Sequence, residues 1–233
     1  MTTSPPHVGT LREKPLHASL KLWCAHDGDR FEVPVDGFVI DVVHEDLLIE
    51  VQTRGFSSMK RKLTELLAGG HRVRIIHPVP AQKWIVRIDA DGEILSRRKS
   101  PKHGTVTDIF SELVSFPNLI AHPGLEIQVL LTHEDEYRHH DPTKAWRRKG
   151  WVVDERRLVS VEETINIRTT ADLGTLIPDG LTDPFTTADL AAALGSPRRL
   201  AQQMAYCLRH AGVVTASGKK GNAVEYQRLA PTT

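Results

Sequence analysis

Asp41, Glu50 and Gln52 are the residues of this chain best suited to chemistry. They fall in DGFVIDVVHEDLLIEVQT, residues 36–53. Asp41 interrupts an otherwise apolar run, where an ionised carboxylate is costly to bury unless a partner offsets it. Glu50 and Gln52 are two apart, so on a strand they share one face. Two carboxylates brought side by side repel each other, and a divalent cation with oxygen ligands relieves that repulsion. A cation so held polarises a bound phosphate and lowers the pKa of an attacking water, so the chemistry implied is metal-assisted hydrolysis.

The elements that must position these groups are short and alternate in type. Residues 38–43 and 47–52 are apolar and separated only by His44-Glu45-Asp46, the pattern of a β-hairpin with a short polar turn. The first is apolar on both faces, so both should be covered. A strand over 31–35 precedes the hairpin. Ahead of that, 10–25 reads as a helix with Leu16, Leu20 and Trp23/Cys24 on one stripe, capped by Thr10 with Glu13. A helix over 57–67 and a strand over 72–77 follow, then a hairpin of 83–88 and 93–96 around Asp89-Ala-Asp-Gly92. The order helix–strand–strand–strand–helix–strand is α/β with mixed sheet pairing, and it ends the first domain, residues 1–96, near Ser96.

Asp41 on one strand and Glu50-Val-Gln52 on the next resemble the motif of the PD-(D/E)xK nuclease superfamily, the restriction-endonuclease-like and Holliday-resolvase-like fold. The resemblance covers roughly residues 8–90. It implies that Asp41 and Glu50 hold Mg2+ or Mn2+, with the Val51 carbonyl completing the site, and that Glu13 assists from the first helix. Gln52 stands where the family usually has Lys; it offers a hydrogen-bonding dipole to orient the water, not a charge near the developing oxyanion. Lys60 or Lys62, on the following helix, is placed to return that charge. Asp36 is the reserve ligand should Asp41 prove structural.

Residues 97–182 form a connecting region of uncertain architecture, entered through a basic, proline-containing link. It carries a helix near 106–114 and strands near 126–131 and 156–161. Its His133–Asp141 stretch is rich in ligand types but fits no zinc spacing and reads as solvated. Trp146-Arg-Arg-Lys-Gly-Trp151 interleaves aromatics with cations, which suits nucleic-acid stacking or an interface anchor equally. Residues 183–233 are clearer. A capped helix over 187–194 stops at Gly195, and a second opens with Ser196 as cap and Pro197 at its first position. A hairpin with a basic tip then closes the outline of a winged helix-turn-helix. On it, Arg198, Arg199, Gln202 and Gln203 would face DNA from the second helix, and Lys219 and Lys220 would meet phosphate from the wing.

Composition sets the outer limits. With 40% hydrophobic and 25% charged residues, the chain suits a globular domain with a sizeable core. No run of about 18 apolar residues exists, so no membrane-spanning helix is expected. The N-terminal stretch has no apolar segment of the secretory kind. Cys24 and Cys207 match no metal or redox spacing and suit a reducing cytoplasm. The expectation is therefore a cytoplasmic, Mg-dependent nuclease acting on DNA, without a membrane and with a possible homodimer. The alternative is a catalytically inactive nuclease-fold protein that binds DNA or regulates. A third reading makes the tail a protein-docking module.

Overall fold

The computed structural model describes residues 14–230. It opens on helix α1 (Pro15–Cys24), where Pro15 takes a first-turn position that needs no N–H donor. The spacing of Leu16, Leu20 and Cys24 lays one buried stripe along the helix. Thr10 and Glu13 lie outside the described residues. Strands β1 (Arg30–Val35), β2 (Phe38–His44) and β3 (Leu47–Val51) then form an antiparallel meander. Gly55, at φ 71°, turns the chain into a 3-10 turn, Phe56–Met59, and helix α2 (Lys60–Ala68). Helix α2 is the crossover that lets β4 (Arg72–Ile88) lie parallel to β3.

Strand β4 runs 17 residues, through Pro78 and Pro80, where the sequence suggests a break. On one side, β3 pairs with its residues 72–76 and β5 (Ile94–Lys99) with 84–88, leaving the middle without a strand. Ile76 accepts from Gln52 N–H on that side, and Pro78 and Pro80 share its parity. Their missing donors therefore face the gap, where no ladder needs them. Gly104 closes the gap from a loop, its N–H donating to Pro80 O at 2.9 Å.

A 3-10 turn at Val106–Ile109, helix α3 (Phe110–Leu113) and a further 3-10 turn at Pro117–Leu119 lead into β6 (Leu125–His140). Strand β6 pairs in parallel with β4, and β7 (Trp151–Ile167) runs antiparallel to β6. The sheet has seven strands, ordered β1-β2-β3-β4-β6-β7 with β5 on the outer half of β4. It crosses residue 96, where the sequence suggests a domain boundary. The middle region supplies two strands of the same sheet as the hairpin.

Helix α4 (Thr170–Gly174) leads from the sheet to a small unit of β8 (Phe185–Thr186), α5 (Thr187–Leu194), α6 (Arg198–His210), β9 (Val214–Lys220) and β10 (Ala223–Arg228). Its three strands are ordered β8-β10-β9. Thr186 Oγ accepts from the Ala188 and Asp189 N–H groups while the Asp189 carboxylate accepts from Thr186 N–H, a closed capping box. The cap of α6 is Pro197, not Ser196, whose hydroxyl is buried without a partner. Pro197 takes the extended φ/ψ of a cap, so the helix starts one residue later than its sequence suggests.

The two faces of the sheet are covered differently. Helix α1 packs on Val42, Ile49, Val51, Ile76 and Leu130. The opposite face carries α2 and α3, and one continuous cluster runs from Ile40 and Leu63 through Phe110 to Met204 and Leu208 of α6. The protein is a mixed α/β fold with one large mixed sheet and flanking helices. Among the described residues, no helix is long and apolar enough to cross a membrane.

Candidate functional site

The β2–β3 ladder runs from His44↔Leu47 to Val42↔Ile49 and pairs no further. Past that point the Val51 N–H is free of it, and Asp41 takes it up: Oδ2 accepts from Val51 N at 2.8 Å. Helix α1 covers this spot with two residues one turn apart. His17 Nε2 lies 3.3 Å from Asp41 Oδ2, and Lys21 Nζ lies 3.9 Å from Oδ1. Lys21 is fully buried and ion-paired with Glu32 of β1. Burial works to raise the Asp41 pKa, but His17, the Val51 N–H and Lys21 together hold it below its ordinary value.

Glu50 lies on the neighbouring strand β3, near enough for the Asp41 charge to act on it, and is 7% exposed. Burial, then the charge of Asp41, push its carboxyl up to about 7, against the opposing pull of Lys62. Lys62 reaches over from α2, its ammonium 2.5 Å from Glu50 Oε1 and donating to Val39 O at 2.5 Å. The ammonium is thus the close partner of this buried oxygen, and it opposes the rise in the Glu50 pKa. Two hard carboxylates at the mouth of a parting hairpin fit Mg2+ or Mn2+ in donor type and charge. The Val51 carbonyl directly follows Glu50 on β3.

Gln52 is placed otherwise than its sequence position suggests. Its amide nitrogen donates to Arg54 O at 2.7 Å and Gly55 O at 3.2 Å. That group ties the turn into the 3-10 segment and is unavailable to orient a water. The Gln52 backbone carbonyl is fixed as well: His77 Nδ1 lies 2.6 Å away, and because a carbonyl only accepts, that nitrogen carries the proton. Lys62 stands at the site while Lys60 is exposed. Asp36 lies in the β1–β2 turn, bonded to His71 at 2.7 Å. Glu13 lies outside the described residues.

His17 and Lys21 belong to the site but not to the motif. Their signal was a pair of basic residues four apart on a helix whose remaining stripe is apolar, which places both over the sheet. The His133–Asp141 stretch, which its sequence suggests is solvated, lies largely inside the fold. Glu134 and Glu136 are 0% and 2% exposed, not solvated. The segment is strand, so every second side chain turns inward. Glu136 gathers Lys83 at 3.0 Å, Arg138 at 2.5 Å and Arg156 at 3.4 Å, leaving a local excess of positive charge.

That excess lines a cleft of about 500 Å3 whose wall includes His17 as well as Thr53 and Arg54, the residues after Gln52. Eight Lys or Arg side chains line it against three carboxylates, Glu136, Asp154 and Glu155. On the C-terminal unit, Arg198, Arg199 and Gln202 are exposed on α6, Gln203 is half-buried, and Lys219 and Lys220 are exposed at the end of β9. The apolar side of α6 is spent on α3, and His210 meets Asn118 at 3.0 Å.

The model of a family described as a domain of unknown function (DUF8091) matches residues 14–168, from α1 to the end of β7. An uncharacterized protein of Treponema pallidum (strain Nichols) is 30% identical over 226 residues, 96% of this chain and 88% of that one. No solved structure matches the chain. The matched span holds the whole large sheet together with Asp41, Glu50 and Lys62, and the chain belongs to the DUF8091 family.

Proposed function

We propose that this chain is a cytoplasmic, metal-dependent nuclease of the PD-(D/E)xK kind that hydrolyses DNA phosphodiester bonds. The observation that carries the reading is the placement of Asp41 and Glu50 on neighbouring strands where β2 and β3 part, close enough for one charge to act on the other, with a lysine brought to each carboxylate from a different helix. The order α1-β1-β2-β3-α2-β4, with β4 parallel to β3, supports it as the arrangement that the motif's resemblance implies. Two free, buried thiols, Cys24 and Cys207, both pushed up to about 12 by burial, support a reducing compartment.

Asp41, Glu50 and the Val51 carbonyl would hold Mg2+ or Mn2+. When bound, the ion supplies Lewis-acid polarisation of the scissile phosphate and a water of lowered pKa. The chain's own groups do the rest. His17, Lys21 and the Val51 N–H keep Asp41 ionised and fixed. Lys62 is the cation in reach of the reacting phosphate, the part Gln52 does not play. The cleft beside His17 would draw the phosphate backbone electrostatically, and a C-terminal winged helix would hold flanking DNA through Arg198, Arg199, Lys219 and Lys220.

The test is cleavage of labelled linear, single-stranded and branched DNA with Mg2+ or Mn2+, run beside Glu50→Ala and Asp41→Asn. Cutting by the wild type alone supports the assignment; full activity in either folded variant rejects it. A second reading, a nuclease fold that binds DNA without cutting, is favoured by the way Gln52 and Lys62 are already engaged. It predicts steeply salt-dependent DNA affinity and no scission under any divalent metal.

A further inference from the structure

We infer that His26, Asp29 and His44 form a site for a late first-row divalent cation such as Zn2+, distinct from the Asp41–Glu50 pair. Two of them, His26 and Asp29, stand three apart in the loop between α1 and β1, and the third, His44, is the last residue of β2. Their ligating atoms all lie within 4.8 Å of one another. His44 Nδ1 is 2.6 Å from Asp29 Oδ1, and His26 Nδ1 is 3.8 Å from Asp29 Oδ2. Tetrahedral ligands on metal–ligand bonds of about 2.0–2.1 Å stand roughly 3.3 Å apart, between those two values.

The surroundings favour a bound ion over a simple hydrogen-bonded turn. A turn needs only the His44–Asp29 bond and the bond from His26 N–H to Asp29 Oδ2 at 2.9 Å. It leaves unexplained why the His26 ring also faces that carboxylate, too distant to hydrogen-bond but at the span of a shared ion. The rings meet at 5.1 Å with a 46° tilt, converging without stacking. The Asp29 side chain is 2% exposed, whereas those of His26 and His44 are 68% and 39% exposed. A buried anion at the base with two imidazoles at the rim leaves the remaining position to water. Two imidazoles and one carboxylate select Zn2+, Co2+ or Ni2+ over Mg2+. Such an ion would clamp the C-terminal end of α1 to the end of β2. It would thereby set the seat of His17 and Lys21 over Asp41.

The test uses the full chain in excess Mg2+, which occupies oxygen sites and leaves imidazoles free. Co2+ is titrated by its visible absorption, and Zn2+ by competition with a chromogenic chelator. One ion per chain is expected, with affinity falling by about tenfold or more in His26→Ala and His44→Ala. Asp41→Asn should retain it, which separates this site from the nuclease assignment. His26 is exposed, so its variant should melt as the metal-free wild type does, and Zn2+ should raise the melting temperature of the wild type alone. No binding by the wild type, or equal binding by His26→Ala, overturns the site.

Discussion

Burial and the Asp41 charge push the Glu50 carboxyl from its ordinary 4.5 up to about 7 even with Lys62 beside it. The folded chain thus holds this proton more tightly than the unfolded chain does, so the contribution is largest below about 4.5 and is lost as pH rises towards 7. Glu50→Gln removes that dependence. In chelated buffer, urea denaturation should find the variant gaining on the wild type by on the order of 3 kcal/mol between those pH values, from about 1.4 kcal/mol per pKa unit. A pH-independent difference would mean that Glu50 is better solvated than its 7% exposure implies. Stability gained as cleavage is lost would be the mark of a carboxylate kept for chemistry. Asp41 and Glu50 were legible in the sequence because each is an acidic residue in an apolar strand. Lys21 and His17 were only partly so: their spacing on α1 turns both towards the sheet, but which strand residue they meet is set by the packing of the helix. Spacing could not reveal that the Gln52 amide would bond to its own turn.

Elements were easiest to read where the chemistry is local. The cap and stop of α5 are written in Thr186, Asp189 and Gly195, and the structure places them accordingly. Thr186→Ala should cost about 1 kcal/mol, read by denaturant melting, since two helix-end N–H groups lose their acceptor. An unchanged midpoint would show that water replaces the hydroxyl, which its 5% exposure argues against. Elements set by distant partners were harder. Pro78 and Pro80 read as breaks because a proline normally ends a ladder, and only the vacancy between β3 and β5 makes them harmless. The acidic run of β6 read as solvated because its cations, Lys83 and Arg156, lie far off in sequence on β4 and β7.

For the molecule as a whole, the sequence suggested three parts, and the packing joins them. Strands β6 and β7 complete the sheet begun by the hairpin, and α6 shares a core with α3. Arg228 binds the connecting segment too, donating to Leu181 O at 3.1 Å while its N–H meets Asp183. The family match ends at residue 168, just past β7, so the C-terminal unit follows the matched region while packing back upon it. Limited proteolysis should accordingly release no stable fragment ending near residue 182. Removing that tail would bare Phe110 and Leu113, both 0% exposed, and a soluble 14–182 fragment with native melting would contradict the shared core. The gap in β4 has its own consequence. A single methyl at position 104 would stand 2.6 Å from Val79 Cγ1 and 2.9 Å from Pro80 O. The seam of the sheet is thus stitched shut by backbone alone, at a place where chain can enter only by carrying no side chain at all.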